Sequence, residues 1–260
     1  MESRPVVLVT GAAQRIGRDI ALDLAAHGWA VAVHYRSSAA AAAMTVAELR
    51  AAGGTAQSFA ADLADEAQCM ALLPAVQAAM GRVDAVVNNA SLFEYDDVES
   101  FSVKAMEAHW RANTAPAILL ARALHAALSP GAQGVVVNLL DQKLWNPNPD
   151  YLSYTLSKAA LQAATTLLAQ ALAPRLRVCG LAPGVTLLSG EMSGAEFGAS
   201  HQMTPLHRSS TPQDVARAVR FLLESPAITG TTLLVDGGQH LQPQARDVMF
   251  MARDAAPKAP

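Results

Sequence analysis

Short apolar runs alternate with longer stretches of helical spacing along almost the whole chain. The runs Val6–Thr10, Ala30–Tyr35, Ala56–Ala61, Ala85–Asn88, Val135–Leu139, Arg177–Leu181 and Thr232–Val235 have strand length and read as strands. Between them lie Ala- and Leu-rich segments with apolar residues at helical intervals: Arg15–His27, Ala40–Ala52, Glu66–Met80 and Thr114–Leu128. Strands that are apolar on both faces, each followed by a helix, predict a parallel sheet covered on both sides. Two stretches break the alternation. Leu187–Arg208 is expected to be a long loop of small residues, a candidate lid with Phe197 and Met203 available to cover a substrate. The tail after Gly238 reads as irregular, with its last few residues disordered.

Right-handed crossovers turn this pattern into a single α/β domain over residues 1–260. Its centre is a Rossmann-type doubly wound parallel sheet of about seven strands with helices on both faces. Composition agrees: 52% hydrophobic and 16% charged residues argue for a filled core and against disorder. A net charge of −3 without a Lys/Arg run argues against nucleic acid or an anionic membrane as partner. The apolar run Pro5–Thr10 is too short for a signal or membrane segment. Cys69 and Cys179 show no metal-ligand spacing, so two buried thiols and no metal are expected, in a reducing, cytoplasmic setting.

Candidate chemistry concentrates at two places. Tyr154 and Lys158 are four residues apart in Tyr151-Leu-Ser-Tyr154-Thr-Leu-Ser-Lys158. On a helix they share a face, roughly 5–6 Å apart at Cβ. A cation there is expected to lower the phenol pKa and make Tyr154 a usable proton donor. The first strand ends in Thr10-Gly11-Ala-Ala-Gln-Arg15-Ile16-Gly17 and enters a helix. Glycines there let the backbone approach a pyrophosphate at a helix N-terminus. An NAD site favours a carboxylate at the end of the second strand. Here that end reads His34-Tyr35-Arg36-Ser37, and Arg15 adds a second guanidinium, so NADPH is preferred over NADH.

These residues resemble the short-chain dehydrogenase/reductase family from about Pro5 to Leu241. The matching motifs are Thr10-Gly11…Gly17, Asp62-Leu63, Asn88-Asn89-Ala90, Asn113, Tyr154…Lys158, Pro183-Gly184 and Val235-Asp236-Gly237-Gly238. The resemblance implies a homotetramer or homodimer with Tyr154 as catalytic acid. Lys158 would bind the nicotinamide ribose and Asn113 would hold a relay water. Gly11, Arg15, Ile16, Gly17, Pro183 and Gly184 would bind the cofactor, Asp62 and Leu63 would flank adenine, and Asn89 with Ala90 would support it.

Two departures stand out. Arg15 replaces the middle glycine of most members, and Asp141 stands where most have a catalytic Ser. A Ser hydroxyl can donate to a carbonyl oxygen, whereas an ionised carboxylate only accepts. Both departures resemble the family's pteridine reductase branch, as do His34-Tyr35-Arg36-Ser37 and Asn89-Ala90-Ser91-Leu92-Phe93. That branch implies NADPH-dependent reduction of a C=N bond in a dihydropterin or dihydrofolate. Phe93 would stack on the pterin, and Ser91, Arg15, Asp141 and Tyr154 would meet its polar edge. The alternatives are a reductase of ordinary carbonyls and a non-catalytic NADP(H)-binding sensor. Asp141 could instead cap a loop or pair with Lys143, Phe93 could pack under a loop, and Trp145 could wall the pocket or pack a loop.

Overall fold

Every sheet pairing is parallel, and the strand order is β3-β2-β1-β4-β5-β6-β7. The strands are β1 (Val6–Val9), β2 (Ala30–Tyr35), β3 (Ala56–Ala60), β4 (Ala85–Asn88), β5 (Gly134–Leu139), β6 (Leu176–Pro183) and β7 (Thr232–Val235). The computed structural model describes residues 4–189 and 192–255. The expected strands all form, with ends shifted by at most two residues. The reason is visible in β1: Val7 and Val9 enter the core layer on one face, Val6 and Leu8 the other. On the first face Ile20 and Leu24 of α1 (Arg15–Ala26) pack beside Val215, Val219 and Leu222 of α8 (Pro212–Glu224). On the second, Leu72 and Val76 of α3 (Glu66–Met80) meet Leu120 and Leu124 of α5 (Ala115–Ala127). The strand order reverses between β1 and β4, so the carboxyl ends of these two strands open a crevice.

The remaining helices are α2 (Ala39–Ala51), α4 (Val103–His109), α6 (Leu152–Leu172), α7 (Gly194–Gln202) and α9 (Val248–Ala255). A π-helical turn, Trp110–Thr114, links α4 to α5. Two expectations need correction. The stretch 187–208 holds α7, started by a reciprocal capping box in which Ser193 Oγ accepts from the Glu196 amide at 3.2 Å and the Glu196 carboxylate from the Ser193 amide at 2.6 Å. The Ser-x-x-Glu signature is in the sequence, but Gly194, Gly198 and few apolar residues mask the helix. The tail also carries structure, a 3₁₀ turn at Gln239–Leu241 and then α9. The expected disorder of the last residues concerns 256–260, outside the described residues.

Candidate active site

The turn after β1 is tightly built. Gly11 has φ +64, and a Cβ on Gly17 would lie 2.3 Å from the Gly11 carbonyl oxygen and 2.5 Å from Asn89 Nδ2. Asn89 Nδ2 donates to the carbonyls of Thr10 (2.9 Å) and Gly11 (3.3 Å), tying the turn to the end of β4. His34 sits beneath it: Nδ1 accepts from the Gly11 amide at 3.0 Å, so Nε2 is the donor to Ala61 O at 3.0 Å. This fixes a neutral ring, and burial lowers its pKa from 6.5. His34 thus shapes the turn rather than offering a charge. Arg15 is exposed, has φ +55, and donates from Nη2 to Leu188 O at 2.8 Å, bridging the cleft mouth. A left-handed backbone is where glycine fits without strain, which accounts for the glycine of most family members at this position.

One continuous cleft runs from this turn past Tyr35, Arg36, Ser37, Asp62 and Leu63 at one end to Asp141, Tyr154 and Lys158 at the other. Gly11, Ile16, Gly17, Asn89, Ala90, Ser91, Phe93, Pro183 and Gly184 line the same cleft. Arg36 and Ser37 are exposed at the end of β2, as a phosphate clamp requires. Asn113 is the exception. It lies behind the wall in the π-helical turn, with Oδ1 accepting from Leu92 N (2.6 Å) and Ser91 Oγ (3.2 Å), and Nδ2 donating to Leu92 O (3.0 Å) and Ser157 Oγ (3.0 Å). Its side chain joins the segment after β4 to α6, so the water-holding role expected for it falls outside what these bonds display.

At the far end Tyr154 donates its hydroxyl to Asp141 Oδ2 at 2.9 Å, while Asp141 Oδ1 accepts from the Lys143 amide at 2.9 Å. Asp141 therefore both caps the turn Gln142–Leu144 and binds the phenol. Burial, only partly offset by these donors, raises the Asp141 carboxyl above its usual value. The expected lowering of Tyr154 is reversed. Burial and then the Asp141 carboxylate hold the phenol well above 10. Lys158 does not offset this, because its Nζ donates to Leu139 O at 2.7 Å and burial lowers it to about 8.

Phe93 stacks on Tyr151 at 4.2 Å between ring centroids and meets Tyr154 edge-on at 4.7 Å. It is 42% exposed, so much of the ring remains open to the cleft. Trp145 packs with Leu140, Leu161 and Ala182, which makes it a loop-packing residue. Phe197 packs on the Tyr151, Tyr154, Met192 and Met249 cluster from α7.

Sequence reasoning missed several residues that build this end. Asp96, 4% exposed, accepts from the Ser153 amide at 2.9 Å and from the Ser153 hydroxyl. It supplies from a distant loop the cap that Tyr151, in a left-handed backbone, does not give α6. Lys143, Met192, Asp247 and Met249 also line the cleft. Lys143 is marked in the sequence only as a possible partner of Asp141, and nothing local marks the other three; Asp247 and Met249 reach the cleft only because the tail folds back.

A strand-order reversal, a glycine turn at a helix start and a Tyr–Lys pair in one cleft define the class of protein. The chain belongs to the short-chain dehydrogenase/reductase family of oxidoreductases, in its pteridine reductase-like branch. The family model described as enoyl-(acyl carrier protein) reductase matches residues 11–240. Among its relatives, pteridine reductase 1 of Leishmania tarentolae is 33% identical, aligned over 91% of this chain and 96% of the relative. A 3-oxoacyl-[acyl-carrier-protein] reductase of Synechocystis is also 33% identical, over 90% and 96%. The crystal structure of FolM alternative dihydrofolate reductase 1 from Brucella suis in complex with NADP superposes with a TM-score of 0.90 at 39% identity, covering 95% and 99%. The Brucella canis protein, also complexed with NADP, gives 0.87 at 38%, covering 93% and 96%.

Proposed function

We propose that the protein uses NADPH to reduce a C=N bond of a pteridine of dihydropterin or dihydrofolate type. The observation that carries this reading is the 2.9 Å hydrogen bond from Tyr154 to Asp141 on the floor of the cleft that Phe93 lines. A hydroxyl donor in place of Asp141 would suit a carbonyl oxygen; a carboxyl with a raised pKa suits ring N–H donors and a nitrogen awaiting a proton. The two Brucella structures, named as dihydrofolate reductases in complex with NADP, support both substrate class and cofactor.

The cleft fits the dinucleotide. Gly11 and Gly17 allow close backbone approach at the start of α1, Arg15, Arg36 and Ser37 would hold phosphates, and Asp62 and Leu63 would flank the adenine. Asn89, Ala90, Pro183, Gly184 and Lys158 would surround the other half. When bound, NADPH supplies the hydride that adds to the ring carbon. The protein supplies the proton: Tyr154 gives its hydroxyl proton to the adjacent nitrogen, and Asp141, hydrogen-bonded to the same oxygen, relays a proton from solvent back to it. Phe93 orients the flat ring by stacking.

The test is NADPH consumption by the purified enzyme against dihydropterins, dihydrofolate and β-keto esters, with wild type and Asp141→Ser. Dihydropterin turnover that falls about a hundredfold in the variant is expected, as for loss of a general acid–base group. Turnover confined to ketones, or a gain with ketones in Asp141→Ser, would replace this reading by carbonyl reduction.

A further inference from the structure

Lys143 is 3% exposed, yet no step of the chemistry above uses it. A buried ammonium persists only when paired and hydrogen-bonded. Its Nζ donates to Asp150 O at 2.6 Å and to Asp247 Oδ2 at 3.2 Å, and lies 5.3 Å from the centre of the Tyr151 ring. Asp247 is the first residue of a fold-back from the tail. Its Oδ1 accepts from the Met249 amide at 3.1 Å, and its carbonyl accepts from Phe250 and Met251, so it caps α9. Asp150 reinforces the dock by accepting from the Arg246 Nε at 2.9 Å and the Asp247 amide at 2.7 Å. The far end of α9 is held by the Arg253–Glu196 pair to α7, at 3.1 Å. Held at both ends, α9 presents Val248 and Met249 to the cleft, where Met249 packs with Tyr151, Tyr154 and Met192. The amide of the same Lys143 donates to Asp141. One residue thus joins the catalytic carboxyl to the wall that closes the substrate end.

We infer that Lys143 is a specificity-determining positioning residue, whose ion pair with Asp247 clasps the C-terminal helix over the cleft as a wall of the substrate pocket. The inference rests on the proposed substrate end of the cleft, but its physical core, the clasp, does not depend on which substrate is reduced. Lys143→Met keeps the apolar stem and removes the cation. It is expected to raise KM for the dihydropterin about tenfold, the equivalent of about 1.4 kcal/mol, while kcat and NADPH affinity stay within about twofold, because uniform substrate binding is what is lost. Hydrogen exchange in residues 246–253 should speed up. Asp247→Asn should give the same split more weakly, and the double variant should be no worse than Lys143→Met alone, since both remove one interaction.

A merely structural role would lower kcat and NADPH binding together, with KM for substrate unchanged, and would overturn the inference. Additive effects in the double variant, or tail exchange unchanged in both single variants, would do the same. Should Lys143→Met fail to fold, Asp247→Asn decides alone. If wild type ignores dihydropterins, the pteridine reading fails by itself. The KM split is then read on the carbonyl compound that wild type reduces, and the exchange comparison stands unchanged.

Discussion

Arg15 carries, at the mouth of the cleft, a backbone conformation that a glycine would adopt without strain. A left-handed backbone costs a residue with Cβ roughly 1–2 kcal/mol, and Arg15 adopts it with φ +55 at the cleft mouth. Strain of this kind persists where function requires the side chain. Arg15→Gly is expected to stabilise the protein by about 0.5–1 kcal/mol in urea, the strain relief less the entropy cost of a glycine. If Arg15 holds a cofactor phosphate as proposed, the same change should raise KM for NADPH several-fold. A variant that is less stable, with KM unaltered, would refute both halves. Arg15 was visible in the sequence as an irregularity in a glycine motif; its backbone conformation was not. Tyr154 and Lys158 teach the opposite lesson. Their four-residue spacing placed them correctly on α6, but burial and Asp141 set the phenol pKa, and neither can be read from spacing.

At the scale of elements, the β1–α1 turn depends on a ring nitrogen supplied by the neighbouring strand β2. His34 of β2 accepts from the Gly11 amide and donates to Ala61 at the end of β3, so protonation would set N–H against N–H. Its folded pKa lies below 6.5. Above 6.5 both folded and unfolded chains carry neutral His34, and its stabilising contribution is fully present. As pH falls below 6.5 the unfolded chain takes up a proton first, and the contribution is lost progressively through the folded value. The urea midpoint should therefore drop between pH 7.5 and 5.5, and His34→Gln should shrink that drop. An undiminished drop would assign the pH dependence elsewhere, His201 being lowered by burial in the same sense. The strands and the helices α1, α2, α3 and α5 were legible in the alternation of apolar runs, whereas α8 was not marked out. α7 and α9 were not legible either, because they pack on each other and on Tyr151, which lie more than forty residues apart in sequence.

Over the whole molecule, apolar side chains remain uncovered on the helices that flank the sheet. Val103 is 68% exposed, Trp110 42%, Leu156 46% and Leu167 63%, on or beside α4, α5 and α6. Single exposed apolar residues are ordinary, but several along successive helices suit burial against a second copy of the chain. Together with the assembly expected from family resemblance, this predicts a homotetramer or homodimer. Light scattering after size exclusion should give two or four times the monomer mass, and Trp110→Glu with Leu167→Glu should reduce it; a monomeric wild type would refute the prediction. Among the described residues no helix is long and apolar enough to cross a membrane.

The sequence by itself determined the sheet, the glycine turn, the two arginines, Arg15 and Arg36, that line the cleft, and the Asp141, Tyr154 and Lys158 set. Each depends on local periodicity or on motif order, which survive without knowledge of contacts. Only the tertiary structure decided the direction in which burial and neighbours shift these groups, and that a buried Asp96 caps α6. It alone showed that Lys143 reaches across to the tail and that Val248 and Met249 of α9 line the cleft. Those properties arise from desolvation and from pairs about a hundred residues apart, such as Lys143 with Asp247, separated by 104. Burial and long-range pairing are consequences of folding, so no local pattern in the chain encodes them in readable form.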